Sequence, residues 1–171
     1  MITPTNLTQD IFNLAKTAST IKGELPIAQL TRLHPELTNT TGSVRFKFTG
    51  ETNAHKHALL HVQCEGMLAM TCQRCLEPLS YTVAVDNTLH IVASEDELDS
   101  EEDELNAIAA GNHAPEKIVG AVQFDFLSLL EDEIILSLPF STVHDNCPSQ
   151  LPTSSGQKTS AFDVLAQLKS T

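Results

Sequence analysis

The chain has 171 residues, a length that predicts one domain with a tail rather than two separate domains. Its 22 acidic and 10 basic residues give a formal net charge of −12, which argues against a protein whose main affinity comes from neutralising nucleic-acid phosphates. The lack of Trp and the single Tyr also disfavour binding of single-stranded nucleic acid by aromatic stacking.

Residues 1–38 have a helical apolar pattern. Thr8 is the expected N-cap of a first helix, which Gly23 ends. Pro26 suits the first turn of a second, short helix that stops at Pro35. We therefore expect two short helices at the N-terminus.

Residues 43–93 change to a period of two, which is typical of half-buried strands. Three runs show this alternation and are separated by short connections. They predict consecutive antiparallel strands with one face covered. The apolar positions that define them are Val44, Phe46, Phe48, Ala58, Leu60, Val62, Cys64, Leu68, Met70, Leu79, Tyr81, Val83, Val85, Leu89 and Ile91.

Residues 94–116 interrupt the pattern with an acidic tract. Eight acidic residues and no basic residue lie between positions 95 and 104. Such a block cannot bury itself, so we expect a disordered loop that serves as a solvated linker or attracts a basic protein.

Order is expected to return over residues 117–139, with a fourth strand in KIVGAVQF and a helix over 126–138 that Asp125 caps. The predicted fold class is α+β: an antiparallel meander of about four strands, curved or barrel-like, with this packed helix, N-terminal short helices and the acidic disordered loop. Residues 1–147 are predicted to form this single domain. Residues 148–171 are predicted to form a flexible linker and a short C-terminal helix.

The cysteines offer the main candidate for chemistry. The N-terminus lacks the basic and apolar regions of a secretory signal. No stretch of the sequence is close to the length of a membrane span, which needs about 20 apolar residues. We therefore expect a cytoplasmic protein with reduced thiols. Cys72 and Cys75 form a CxxC pair where two strands meet, and His144 and Cys147 could complete a four-ligand zinc site. Ordinary reduced thiols or a redox dithiol are the alternatives.

Other polar clusters favour simpler interpretations. His55, His57 and His61 share one side of a predicted strand, where a metal site or a general base is conceivable but a solvated face is favoured. Glu131, Asp132 and Glu133 would spread around a helix, which makes a poor two-metal site, so we expect them on its solvated side.

Several segments resemble the YceD family, the large ribosomal RNA subunit accumulation proteins of bacteria and plastids. They occur in the family's order: DIFNLAKTASTIKGELPIAQLTRL near the start, CQRCLEPLSYTV centrally, FDFLSLLEDEIILSLPFSTVHDNC later, and SAFDVLAQLKS at the end. CxRCLxP followed by EDEIILxLP is more specific than either motif alone. Many relatives carry a richer cysteine cluster after the LP segment, whereas this chain has only His144 and Cys147 there.

The resemblance implies a non-enzymatic ribosome-biogenesis factor that supports synthesis, processing or stability of 23S ribosomal RNA, the RNA of the large subunit. The alternatives are an RNA-processing enzyme and an acidic partner or chaperone of a basic ribosomal protein. Expected partners are ribosome-assembly components, among which a basic ribosomal protein fits the negative charge. Direct contact with rRNA stays open, and no membrane partner is expected.

Overall fold

A computed structural model describes residues 7–148, apart from positions 101–104, 107–108, 110 and 112–114. The elements in chain order are strand β1 (Thr8–Gln9), helix α1 (Ile11–Lys16), strand β2 (Thr20–Pro26), 3-10 helices Ile27–Gln29 and Thr31–Glu36, strands β3 (Ser43–Thr52), β4 (Ala58–Thr71) and β5 (Pro78–Val92), 3-10 helix Glu95–Glu97, strands β6 (Glu116–Val119) and β7 (Phe124–Asp125), and helix α2 (Phe126–Ser137). The predicted α+β class is confirmed.

Five strands form a mixed sheet in the order β2-β3-β4-β5-β6. The pairs from β2 to β5 are antiparallel, whereas β6 lies parallel to β5, with Leu89 opposite Glu116. β2 and β6 are the edges of the described sheet, and no pairing between them closes a barrel. The barrel-like form and the expected antiparallel fourth strand are therefore wrong. Residues 93–115 separate β5 from β6, which exceeds the dozen or so residues that a parallel crossover needs.

One face of the sheet supports the hydrophobic core. The apolar positions of β3, β4 and β5 that alternate in the sequence point to this face, and α1, α2 and the early 3-10 helices cover it. Phe48 of β3 and Phe126 of α2 are both fully buried, with ring centroids 5.0 Å apart. At Gly50, a Cβ atom would lie 2.3 Å from the carbonyl oxygen of Leu14, so only glycine lets α1 approach the sheet this closely.

The N-terminal region differs from its prediction. α1 ends at Lys16, and its N-cap is Asp10, whose carboxylate accepts hydrogen bonds from two backbone N–H groups, rather than Thr8. Residues 20–23 of the predicted first helix belong instead to strand β2, which continues to Pro26 and buries Ile21 and Leu25. The residues with helical apolar spacing, Ile11, Leu14 and Ala15, all lie within α1, so this spacing does not extend the helix to residues 20–23.

The second predicted N-terminal helix is present as two consecutive 3-10 helices, and it continues past the expected stop at Pro35. The helix expected over 126–138 is α2, and Asp125 caps it by accepting from the N–H groups of Leu127 and Ser128. β1 and β7 pair beside the start of this helix as a small second sheet.

Two predictions concern segments that lie partly or wholly outside the described residues. Of the acidic tract, residues 94–100 are described and contain one 3-10 turn, whereas 101–104 are not described, so the expected disorder of 94–116 stays a prediction. Residues 149–171, with the expected linker and C-terminal helix, are outside the description. No helix in the described part of the chain is long and apolar enough to cross a membrane.

Candidate metal centre

The CxxC pair lies in the tight connection between β4 and β5. Pairing of the two strands ends at Thr71 and Pro78, and Cys72 follows directly on β4. The connection is closed by two backbone hydrogen bonds, from Leu76 N–H to Cys72 O at 2.8 Å and from Cys72 N–H to Glu77 O at 2.9 Å. Both cysteine side chains are buried within this turn. We call the segment Cys72–Glu77 the knuckle.

The chain after α2 carries the second pair of candidate ligands to the knuckle. Thr142 fixes this approach, because its hydroxyl donates to Thr71 O at 2.9 Å and its carbonyl accepts from Gln73 N–H at 2.8 Å. The segment then places His144 and Cys147 beside the two cysteines of the knuckle. Packing of α2 against the sheet therefore brings together residues that are about 70 positions apart in the sequence.

All four predicted ligands meet in one cluster. Cys72, Cys75, His144 and Cys147 each offer one ligand atom, and these atoms lie within 4.8 Å of one another. Cys72 Sγ is 3.8 Å from Cys147 Sγ, and Cys75 Sγ is 3.4 Å from His144 Nδ1. A tetrahedral zinc ion with ordinary bond lengths would give about 3.8 Å between two sulfurs and about 3.6 Å between sulfur and nitrogen. The cluster therefore has the dimensions of a closed four-ligand metal site.

The imidazole of His144 has a defined orientation. Its Nδ1 faces Cys75 Sγ, while its Nε2 lies 3.2 Å from the carbonyl oxygen of Pro78. A carbonyl can only accept, so this contact favours the tautomer with hydrogen on Nε2 and leaves Nδ1 as the ligand atom. Histidines that bind metals commonly make such a hydrogen bond with their second nitrogen.

Arg74 is a member of the site that the spacing of cysteines and histidine did not predict. Its Nε donates to Cys147 Sγ at 2.9 Å, and its Nη2 donates to the carbonyl oxygen of His144 at 2.5 Å. One guanidinium thus holds both ends of the His144–Cys147 segment against the knuckle. Its signal in the sequence is the cationic residue between the two cysteines of the CQRC motif.

The cysteine thiols differ in pKa because their surroundings differ. Burial by itself raises the pKa of Cys72, but hydrogen bonds from the backbone N–H groups of His144, Cys75 and Arg74 outweigh it and lower this pKa to about 5. Burial raises the pKa of Cys75 to about 11. Cys64 lies apart in the core, where burial and then the charge of Glu65 raise its pKa to about 12. Of these three thiols, Cys72 is the one most readily present as thiolate.

Of the three histidines predicted on one strand face, only His61 lies on a strand, because His55 and His57 precede Ala58, where β4 begins. His61 contacts Glu51 at 2.8 Å and Thr88 at 2.9 Å, while the rings of His57 and His90 stack with centroids 4.6 Å apart. Among the described residues, histidines of this face do not form a group suited to a metal ion.

The expectation that the acidic residues of α2 are solvated is wrong for two of them. Glu131 and Glu133 are buried, whereas Asp132 is half-exposed. Glu131 accepts from the backbone N–H of Arg32 at 2.9 Å, and Glu133 accepts from the side-chain amide of Asn87 at 3.1 Å. These buried carboxylates have partners on other elements, which the apolar period of the helix could not reveal.

Comparison with known proteins confirms the resemblance found in the motifs. The chain is 26% identical over 151 residues to the large ribosomal RNA subunit accumulation protein YceD of Haemophilus influenzae, which covers 82% of each chain. No solved structure matches it. The family model described as large ribosomal RNA subunit accumulation protein YceD matches residues 60–169, a range that includes all four cluster residues. Since that match covers more than half of the sequence, the chain belongs to the YceD family.

Proposed function

We propose that this protein is a cytoplasmic, non-enzymatic ribosome-biogenesis factor that supports accumulation of 23S ribosomal RNA, with zinc held by Cys72, Cys75, His144 and Cys147. The observation that carries the proposal is the meeting of these four side chains within the region that matches the family. The relative from Haemophilus influenzae supplies the process, since it is named as a large ribosomal RNA subunit accumulation protein.

The ligand set supports a structural role for the metal. Three thiols and one imidazole fill a tetrahedral zinc site and leave no position open for water or substrate. The ligands also come from two chain segments that follow different elements, so bound zinc would fix residues 142–147 to the knuckle. Because the free energy of metal binding then contributes to folding, loss of zinc is expected to loosen this segment first.

The buried acidic groups support a role without catalysis. Glu131 and Glu133 are engaged by Arg32 and Asn87, in positions that join structural elements. An enzyme acting on RNA would need acids, bases or metal-bound carboxylates that converge on one substrate position. Because these two carboxylates hold structural elements together, we favour a factor that acts by binding other components.

Charge favours a protein as the direct partner. A chain with a net charge of −12 is repelled by rRNA phosphates and attracted to basic proteins, which dominate the protein part of ribosomes. A basic ribosomal protein or its assembly complex is therefore the proposed partner class, and the effect on rRNA would follow from that contact.

The proposal is tested by ribosome profiles of a deletion strain on sucrose gradients, together with the ratio of 23S to 16S RNA. We expect fewer large subunits and a lower ratio, restored by the wild-type gene. An unchanged ratio, including in the cold, would contradict the proposed process. Cleavage of precursor rRNA by the purified protein alone would contradict the non-enzymatic role and favour an RNA-processing enzyme.

A further inference from the structure

Leu76, in the knuckle, combines two features that disfavour leucine there. Its backbone has a φ of 64°, a left-handed conformation that glycine and asparagine adopt far more readily than leucine. Its side chain is 62% exposed, so the apolar atoms gain little from burial. Stability of the turn alone therefore does not explain a leucine at this position. A contact with another molecule would explain it, because association would bury the exposed side chain.

Further apolar side chains lie close to this position along the neighbouring segment. Leu76 and Thr142 line the same depression, which has a volume of about 360 Å³ and also includes Met70. Within two residues of Thr142 are Phe140, which is fully exposed, and Val143, which is half-exposed. We call Leu76, Phe140 and Val143 the knuckle surface. Of these three residues Leu76 lines the depression, and Phe140 and Val143 lie beside Thr142 along the chain. Neighbouring exposed apolar side chains mark sites where a protein contacts other molecules.

The charged groups around the knuckle surface are acidic. Glu36 lines the depression, Glu77 follows Leu76, and Asp145 follows His144. None of these three carboxylates forms an ion pair with another described residue. The neighbouring cation, Arg74, is directed at Cys147 and the carbonyl oxygen of His144. An incoming molecule therefore meets apolar side chains surrounded by unpaired negative charge.

We propose that the knuckle surface binds a basic protein segment that places an apolar side chain against Leu76. The charge complementarity selects this occupant: phosphates of RNA would be repelled by the three carboxylates, and a second copy would place like charges together. The proposal rests on the proposed function for its choice of ribosomal proteins as the class of partner. The metal cluster would hold the two segments of this surface in place, since its ligand Cys75 directly precedes Leu76 and its ligand His144 directly follows Val143.

The first test uses RNA-free proteins extracted from purified large ribosomal subunits, passed over the immobilised full-length protein. Proteins retained in low salt are then measured singly for their dissociation constants with wild type, Leu76→Asn and Met67→Gln. Met67 is a matched control, because it is also 62% exposed but lies on strand β4. We expect a basic protein to bind wild type and Met67→Gln alike, and Leu76→Asn about tenfold more weakly.

Thermal unfolding separates binding from a structural role of Leu76. Since asparagine tolerates positive φ, Leu76→Asn should have an unchanged or higher midpoint while it binds more weakly. A lower midpoint would assign Leu76 to the fold and contradict the proposal. Retention of no basic protein, equal affinity of wild type and Leu76→Asn, or an equal loss in Met67→Gln would also overturn it.

The rRNA ratio of the deletion strain distinguishes this inference from the proposed function. A reduced ratio of 23S to 16S RNA, together with unaltered binding by Leu76→Asn, would reject the knuckle surface and retain the function. An unchanged ratio, together with binding of a basic protein that depends on Leu76, would reject the function in rRNA accumulation and retain the surface.

Discussion

Glu131 Oε1 accepts a hydrogen bond of 2.9 Å from the backbone N–H of Arg32, a residue 99 positions earlier in the chain. The contact joins α2 to the 3-10 helix Thr31–Glu36, whose first turn would otherwise leave this N–H without a partner. The side chain of Arg32 meets the next residue of α2, Asp132, at 2.5 Å. Two successive acids of the EDEIILSLP motif therefore bind one residue of the N-terminal region, which explains why the motif tolerates a buried acidic side chain.

The first prediction concerns this buried contact. Glu131→Ala should lower the free energy of unfolding by about 2 kcal/mol, because it removes the hydrogen bond that the buried Glu131 carboxylate accepts from the Arg32 N–H. Glu131→Gln keeps an acceptor and should lose less. Urea denaturation measures both, with Asp132→Asn as the control, since solvent screens its half-exposed ion pair and the loss of stability should be smaller. Equal losses of stability in Glu131→Ala and Asp132→Asn would show that the hydrogen bond from the Arg32 N–H to Glu131 is unimportant.

The second prediction concerns pH. Burial raises the pKa of Glu133, although the hydrogen bond from Asn87 opposes the shift. A carboxyl whose pKa is higher in the folded state stabilises the fold when protonated, and this contribution is lost as pH rises through the folded pKa.

Glu133→Gln should therefore be as stable as wild type near pH 4 and equal or more stable at pH 7, as measured by denaturation at both values. A variant that loses more stability at pH 7 than at pH 4 would contradict this assignment, because it would show that the ionised carboxylate is the stabilising form.

The third prediction concerns the metal. Purified wild-type protein should contain about one equivalent of zinc, since the four ligands complete one site. Cys75→Ser should lose most of it, whereas Cys64→Ser, a substitution in the core away from the cluster, should retain it. Elemental analysis measures the content, and proteolysis of the 140–147 segment after chelation measures the coupling to folding. Zinc-free wild type whose stability does not change on zinc addition would exclude the site.

The fourth prediction concerns Arg74. Its guanidinium holds Cys147 and the backbone of His144, so Arg74→Gln should weaken zinc affinity about tenfold without changing the ligand set. A competition titration with a chromogenic chelator gives the affinity. Arg45→Gln is the matched control, because its salt bridge with Glu65 lies on the exposed sheet. A similar affinity for wild type and Arg74→Gln would show that Arg74 does not position the site.

Parts of the fold followed directly from local patterns. Apolar and polar residues alternate around Val44, Phe46 and Phe48, and such alternation over a long run indicates a half-buried strand, which is β3. The helical spacing of Ile11, Leu14 and Ala15 predicts α1, but it does not extend to Ile21, whose place in β2 is decided by pairing with β3. The parallel direction of β6 depends on the path of the intervening chain, which local periodicity does not encode.

The candidate site was likewise predictable only where local sequence determines it. The spacing of Cys72 and Cys75 in a turn indicated two ligands on one side, and HDNC supplied the other two by residue type. Arg74 and the partners of Glu131 and Glu133 were missed because each depends on a contact between distant segments. Local sequence showed which residues could serve as ligands, but only the fold shows what holds them in place.

The most direct test of the account is the ratio of 23S to 16S RNA in deletion strains that carry wild type, Cys72→Ser/Cys75→Ser or Cys64→Ser at equal protein levels. The account predicts that wild type and Cys64→Ser restore the ratio, whereas the double variant leaves it reduced, because the knuckle loses its metal and no longer holds residues 142–147. Full restoration of the ratio by Cys72→Ser/Cys75→Ser would contradict a role of the metal centre in accumulation of large-subunit RNA.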